Sequence, residues 1–347
     1  MKVIDLTKIL LQNRPAPSDK ETQSNLKDFQ GRRKRRYTQP IWFCLPSRAI
    51  RKPQGSRRKY KPDKTMAKVT LHKDDDPAIE AASQRARATF RYFWRELFWE
   101  NRRIVPGLDL AAFKVAFHDN DEKPPEVMWV DEVNFNGYSL KGRLLNQPNW
   151  LTSINQGDPV KVPVRAITDW LYAVNGVTYG GFSVNAIRKQ MKKGERKQHD
   201  EAWGLDFGNP DSVHVVPADW FAEQQPETKK KGFFGFGKSA EPEPLSDDVL
   251  QAKEHPMAIN MESSLKDFAN KNPEAISKIG DDGLSMLHNM ALGGSAIGVT
   301  TLLSCGVDVN SRSKKGHTAL DFAKSLGWKR AYTILAKNGG KHTKKQK

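Results

Sequence analysis

The chain has 347 residues with 37% apolar content and a net charge of +17, so it is long enough for two or three domains with true cores and is not a disordered chain as a whole. Its two cysteines, Cys44 and Cys305, lie far apart, which excludes a disulfide framework or a four-cysteine metal site and points to a reducing cytoplasm. No run approaches the roughly 18 apolar residues that span a bilayer, and the start MKVIDLTKILLQNRP is too polar for a signal-peptide core, so no membrane span is expected.

The charge is unevenly placed. Residues 1–65 carry 18 Lys/Arg against 5 Asp/Glu, whereas residues 66–222 carry 20 against 21. The arm holds GRRKRR at 31–36 and RKPQGSRRKYKPDK at 51–64, with scattered Pro and no sustained period, and is expected to be a disordered basic tail. One reading is an arm for nucleic acid or anionic lipid. The favoured reading is a tail without a role, with Met66 as the true start, because the recognisable protein begins at Met66-Ala67-Lys68.

Residues 67–222 read as an α+β domain. Asp74-Asp75-Asp76 before Pro77 is a helix start, with a carboxylate at the N-cap and proline in the first turn. Ile79, Ala82, Ala86, Phe90, Phe93 and Leu97 then recur at steps of three and four, giving one apolar face that should pack on a sheet, and the helix should end before Pro106-Gly107. Phe113 to Phe117 alternates as a first strand and Val127 to Phe135 gives a second. Trp129 has apolar neighbours on both faces, so it belongs on a central, buried strand. Asn136-Gly137 joins Val133–Phe135 to Tyr138–Leu140 as a tight hairpin. Gly157-Asp158 turns into the Val160-Val162-Val164 alternation, and Asn175-Gly176 joins Ile167–Val174 to Val177–Phe182 as a second hairpin. After Gly180-Gly181, Ser183 stands as N-cap of a helix carrying Ile187 and Met191, which Gly194 should stop. The fold class is thus α+β, an N-terminal helix packed on a curled antiparallel sheet.

This stretch also resembles a known family, the bacterial YegJ-like domain of unknown function numbered 2314. The resemblance rests on Met128-Trp129-Val130, Phe135-Asn136-Gly137, Gly142 to Pro148, Gly157-Asp158, Asp169-Trp170 and Tyr179-Gly180-Gly181-Phe182, over roughly residues 80–220. It implies no mechanism, since the family is named for having no assigned activity.

The densest group of chemically able side chains is Glu195 to Asp200 with Trp203, Asp206 and Phe207. His199 beside Asp200 has the make-up of a general base with an orienting carboxylate, which makes His199, Asp200 and Asp206 the catalytic candidates of a hydrolase-like reading. The blander reading, a charged loop anchored by Trp203 and Phe207, is favoured because no nucleophile lies at a fixed offset. Asp169 interrupts an apolar strand and must reach water or a donor. It is expected to be partly buried and bonded to Arg188, Arg196 or backbone N–H groups, tying the sheet to the His199 loop. Asp169, Trp170, Arg196 and Trp203 are accordingly the binding candidates. HExxH, GxSxG, GxxxxGK[ST] and a helix-opening GxGxxG are all absent from the sequence, and no metal or cofactor is expected.

Residues 223–255 read as a flexible linker of Pro, Gly, Ser and charge, including Lys229-Lys230-Lys231 beside Phe233, Phe234 and Phe236. Over 256–340 an internal repeat appears: Gly283 and Gly316 lie 33 residues apart, as do Leu287 and Leu320. With Leu287-His288, Gly294, Val299, Leu302-Leu303, Gly306 and Asp308-Val309-Asn310 in place, this stretch resembles ankyrin repeats. It departs from their pattern at Met286 and Ala319, where Pro is usual, and at Asp321. Leu265–Ala269 and Ala275-Ile276 are expected to supply a degenerate third unit that caps a separate all-α stack. The resemblance implies a protein partner bound by the repeats, in a bacterial, cytoplasmic interaction protein of adaptor or immunity type. Nucleic acid enters only through the 1–65 arm.

Overall fold

The computed structural model describes residues 68–69, 76–119, 124–217, 220 and 244–343. The basic arm, Asp74-Asp75 and the 223–243 part of the expected linker lie outside these residues.

Helix α1, Pro77–Glu100, starts as the sequence dictates: the Asp76 carboxylate accepts the Ala78 N–H at 2.8 Å and Pro77 fills the first position. Ala82, Ala86, Phe90, Phe93 and Leu97 form its buried stripe. Tyr92, Trp94, Phe98 and Trp99 are buried too, so the C-terminal half of α1 is enclosed all round. A helix in that state needs a second packing partner besides the sheet.

The sheet is antiparallel throughout. Its strands are β1 Lys68–Val69, β2 Leu110–His118, β3 Glu126–Phe135, β4 Leu140–Leu144, β5 Pro159–Val162, β6 Ile167–Val174 and β7 Val177–Gly180, in the order β5-β4-β3-β2-β6-β7, with β1 paired beside β2. Both expected hairpins form, β3–β4 and β6–β7. The period-2 alternation divides the strands between two faces. Phe113, Val115, Met128, Val130, Trp170 and Tyr172 join α1 in the main core. On the reverse face Ala112, Trp129 and Leu171 form a smaller cluster with Val184 and Phe207, beneath α2, Phe182–Gln190, and α3, Lys193–Trp203.

Two local expectations fail here. Gly194 does not stop a helix: it lies in the first turn of α3, where the Lys192 N–H is held by the Glu195 carboxylate at 2.7 Å, and the expected 195–207 loop is helical to Trp203. Nor does Ser183 cap α2. Gly181, at φ +68°, is the N-cap, and the cap's carboxylate comes from another element, as described below.

The C-terminal region consists of α4 Asp247–Ala252, α5 Pro256–Asn260, α6 Glu262–Lys271, α7 Pro273–Ser277, α8 Met286–Leu292, α9 Ala296–Ser304, α10 Ala319–Ser325 and α11 Lys329–Lys337. The pairs α8–α9 and α10–α11 are built alike. Ser285 and Thr318 cap their first helices through side-chain oxygens, and the left-handed glycines Gly283, Gly294 and Gly306 recur as Gly316, Gly327 and Gly339, each 33 residues on. First packs on first (α8 on α10) and second on second (α9 on α11). The α6–α7 pair does not follow this pairing: α6 lies on α9 and α7 on α8.

The helices are not a separate stack. Tyr92, Phe98 and Trp99 of α1 share one continuous apolar core with Leu250, Leu287, Leu292, Phe322 and Trp328. Tyr92 meets the Trp328 ring edge-on at 5.7 Å, and its hydroxyl donates to Asp247 at 2.6 Å. Part of the stretch expected as a linker is therefore α4, fastened to α1. Periodicity can show that a helix has surplus apolar surface but not what covers it.

Candidate functional site

Asp169 lies on the reverse face of the sheet, opposite Lys114 in the β2–β6 register, and has no exposed surface. Its Oδ1 accepts the N–H groups of Trp170 and Phe182 at 2.8 and 3.0 Å, and its Oδ2 accepts the Ser183 N–H at 2.8 Å and the Ser183 hydroxyl at 2.6 Å. A strand residue thus caps the α2 N-terminus, satisfying orphan amides at the positive end of the helix dipole. Burial pushes the Asp169 carboxyl above its ordinary range, opposed by the Lys114 charge and the bonds from Ser183. The Lys114 ammonium also reaches the Ser183 hydroxyl at 3.3 Å and sits 5.3 Å from the centre of the Trp129 ring. Of the donors anticipated for Asp169, the backbone supplies the bonds and the arginines do not, and the residue is fully rather than partly buried.

Arg188 instead serves the neighbouring array. Its buried guanidinium donates to Asn185 Oδ1 at 2.5 Å, to Asp200 Oδ2 at 2.6 Å and to the carbonyls of Phe207 and Gly208 at 3.4 and 3.1 Å. Asp200 Oδ1 in turn lies 2.8 Å from His199 Nδ1. The sequence neighbours His199 and Asp200 do converge, because Asp200 turns toward α2 and His199 lies over Phe207 and Trp203, with ring centres 5.2 and 6.0 Å away. This is the geometry of an imidazole held in one tautomer by a carboxylate, itself held by a buried arginine.

The other candidates fall elsewhere. Asp206 is exposed; its backbone makes an isolated parallel bridge to Val177 at the sheet's edge and its carboxylate accepts the Gly208 N–H, so it does not join His199 and Asp200. Arg196, on α3, forms no ion pair with the Asp169 group. Trp203 meets Trp129 edge-on at 6.4 Å and roofs the small cluster. Trp170 belongs to the core: fully buried, it stacks on Phe93 at 5.3 Å and donates its indole N–H to the Ala86 carbonyl at 2.8 Å, which corrects its expected place on a binding surface. A β-carbon on Gly180 would lie 2.4 Å from the Trp170 carbonyl, so the glycine is required there by close approach as well as by its φ of +76°. The recognisable motif thus builds scaffold.

A cleft of about 200 Å³ opens beside β7 and is lined by Thr178, Asn185, Asp206, Asn209, Ser212 and His214 over the Phe207 and Val213 side chains. Among the described residues no group of three or more His, Cys, Asp or Glu is arranged to hold a metal.

Sequence reasoning missed the junction between the two halves. Glu96 and His255, both buried, meet at 3.1 Å, and His255 stacks on Trp99 at 5.7 Å. Arg91 bonds to Asp247 and, at 3.3 Å, to the Leu326 carbonyl. The Tyr138 hydroxyl, at the tip of the β3–β4 hairpin, lies 3.1 Å from both Ser313 Oγ and His317 Nδ1. The available signal was an α1 with four more aromatic residues than one face can hold.

The family model described as an uncharacterized protein conserved in bacteria, DUF2314, matches residues 76–207. NMB1133/NMB1171 of Neisseria meningitidis serogroup B, a protein named for ankyrin repeats, is 38% identical over 262 residues, 75% of this chain and 93% of that protein. YegJ of Escherichia coli K12, named as uncharacterized, is 25% identical over 92 residues, 26% of this chain and 60% of that protein. Residues 76–207 are thus a DUF2314 domain, and the chain as a whole belongs to the family of the Neisseria protein. No solved structure matches this chain. Among the described residues, no helix is long and apolar enough to cross a membrane.

Proposed function

We propose that this chain is a cytoplasmic bacterial protein-interaction protein, in which an ankyrin-like helical region binds a protein partner and the sheet is its rigid mount. The carrying observation is the pair of like-built helical hairpins whose turns are stitched in series. Lys314 N–H donates to the Gly283 carbonyl at 2.8 Å and Ser313 N–H to the His317 carbonyl at 2.8 Å. Such turns are ordered, solvent-facing and rich in side-chain variety, which suits recognition more than chemistry. The name of the Neisseria relative supports the same reading. An adaptor or immunity role toward another protein fits within it.

A second reading, a hydrolase-like enzyme, draws on the oriented His199–Asp200 pair. It lacks a nucleophile: among the described residues His199 bonds to no Ser, Thr or Cys side chain. Affinity capture from the native cell with the full chain tests the leading reading. A specific protein retained at physiological salt is expected. Recovery of none, together with ester or amide hydrolysis lost in His199→Ala, would transfer the proposal to the enzyme.

A further inference from the structure

The helical region does not present all of its surface to a partner, because the chain occupies part of it. Gly137, at the β3–β4 turn, approaches so closely that a β-carbon there would lie 2.4 Å from the Phe322 ring and 3.4 Å from Leu292. Tyr138 covers the next stretch, edge-on to Phe322 at 5.5 Å, with the Lys315 ammonium 4.1 Å from its ring centre. The face made by α8 and α10 is thus filled in cis by the sheet's own hairpin.

Among the described residues the edge of turns is exposed, and its charge changes sign along its length. Asp281 and Asp282 are exposed on the first turn, and Arg312 and Lys314 are exposed on the second. The two turns are adjacent through the Lys314 N–H bond to the Gly283 carbonyl at 2.8 Å. Lys341 adds to the basic side: its N–H donates to the Asn310 side chain at 2.8 Å, which holds another exposed lysine at the segment leading into Arg312. Between Gly283 and Ser311 the sequence has one ionisable acid or base of the Asp, Glu, Lys, Arg set, Asp308, so the two charged turns stand apart from a nearly neutral body.

We propose that this bipolar edge is the docking surface for a protein partner carrying carboxylates opposite Arg312 and Lys314 and cationic side chains opposite Asp281 and Asp282. The proposal rests on the protein-interaction reading and specifies its surface. A nucleic acid or an anionic membrane is negative along its whole length and would be repelled by the acidic turn, whereas a protein can present both signs in one patch.

The test uses the full chain and a synthetic peptide with a run of glutamates followed by a run of lysines, read by amide hydrogen exchange. The peptide should slow exchange over 280–283 and 312–316. Reversing one turn, with Arg312→Glu and Lys314→Glu, leaves only the lysine half of the peptide a complementary surface and should weaken that protection. Reversing both turns, by adding Asp281→Lys and Asp282→Lys, should restore it, because the peptide then docks end for end. All four residues are exposed, but Asp282 accepts the Leu284 N–H at 2.9 Å and Arg312 donates to the Gly316 carbonyl at 2.8 Å, so the urea midpoint of each variant is measured to check that the fold survives. Equal protection in the singly reversed variant overturns the proposal. Equal protection of wild type by polyglutamate or single-stranded DNA also overturns it, and would mark a plain polyanion site. Failure of the broader reading shows separately, as no protein captured from the native cell even when the peptide footprint is present.

Discussion

At position 169 a carboxylate occupies the middle of a strand with no exposed surface, and the groups that make this tolerable lie on α2. Asp169→Ala strips three buried amides and the Ser183 hydroxyl of their acceptor, at about 1–3 kcal/mol for each group left unsatisfied, so a loss of about 3 kcal/mol or more is expected in urea unfolding. Asp169→Asn keeps one acceptor oxygen and removes the buried charge, and should cost less than the alanine variant. Equal losses would mean that charge matters and the cap geometry does not. Arg188 predicts differently, since its bonds run to α3 and to the Phe207 and Gly208 carbonyls rather than to the sheet. Arg188→Ala should speed amide exchange over 193–208 while leaving β2, β3 and β6 protected; uniform deprotection would show that the reverse face supports the whole sheet. His288 carries a pH dependence. It is fully buried, accepts the Ser285 N–H at Nδ1 and faces the Ser311 and His317 carbonyls at 3.1 Å through Nε2, so the neutral tautomer with its proton on Nε2 fits. Burial holds its pKa below the ordinary value. The unfolded ring then binds a proton that the folded ring refuses, so this contribution is complete above about pH 6.5 and is lost as pH falls below it. The urea midpoint of His288→Gln should change less than that of wild type between neutral and mildly acid pH, and parallel curves would exclude the mechanism.

Among the elements, the β3–β4 hairpin shows how one residue answers two constraints. Asn136-Gly137 reads as a turn, and the turn forms, with Asn136 Oδ1 accepting the Tyr138 and Ser139 N–H groups, each at 3.1 Å. That the same glycine sits against Phe322 and Leu292 could not be read from its neighbours in sequence. Gly137→Ala combines a strained φ of +83° with a steric clash, and a loss of about 1–3 kcal/mol is expected, with Tyr138 released from His317. The observable is faster exchange at 313–318; a full loss of stability with no change there would place the strain in the turn alone. The helices on the reverse face teach a related lesson. The Ser183 pattern predicted a local cap, but the strand carboxylate arrives from fourteen residues earlier and takes its place. Gly194 sits inside α3 because the Glu195 carboxylate secures the first turn, which outweighs glycine's modest cost in a helix.

For the whole molecule the decisive fact is the shared core of α1. The enclosed aromatic side chains of its C-terminal half predict that residues 66–222 alone would expose Tyr92, Phe98 and Trp99 and fail to reach a stable fold. Cleavage at a protease site inserted between 223 and 243 should therefore give two fragments that elute together in gel filtration, and the nicked protein should unfold in one transition. Independent elution of two folded pieces would restore the picture of tethered, separate domains.

The sequence by itself determined the elements whose causes are local. The Asp76–Pro77 start, the strand alternations and the Asn-Gly turns act over a few neighbouring residues and appear in the structure, except that Val164 falls in a 3-10 turn and Phe182 opens α2 where strand was expected; the recurrence of Gly283 at Gly316 repeats one such local unit. The convergence of His199 with Asp200, the burial of Trp170, the capping of α2 by Asp169 and the union of the helices with α1 were decided by tertiary structure. Each depends on which apolar surfaces find one another across long separations. Burial then fixes where a carboxylate or an indole must find its partner, and no periodicity along the chain encodes that choice.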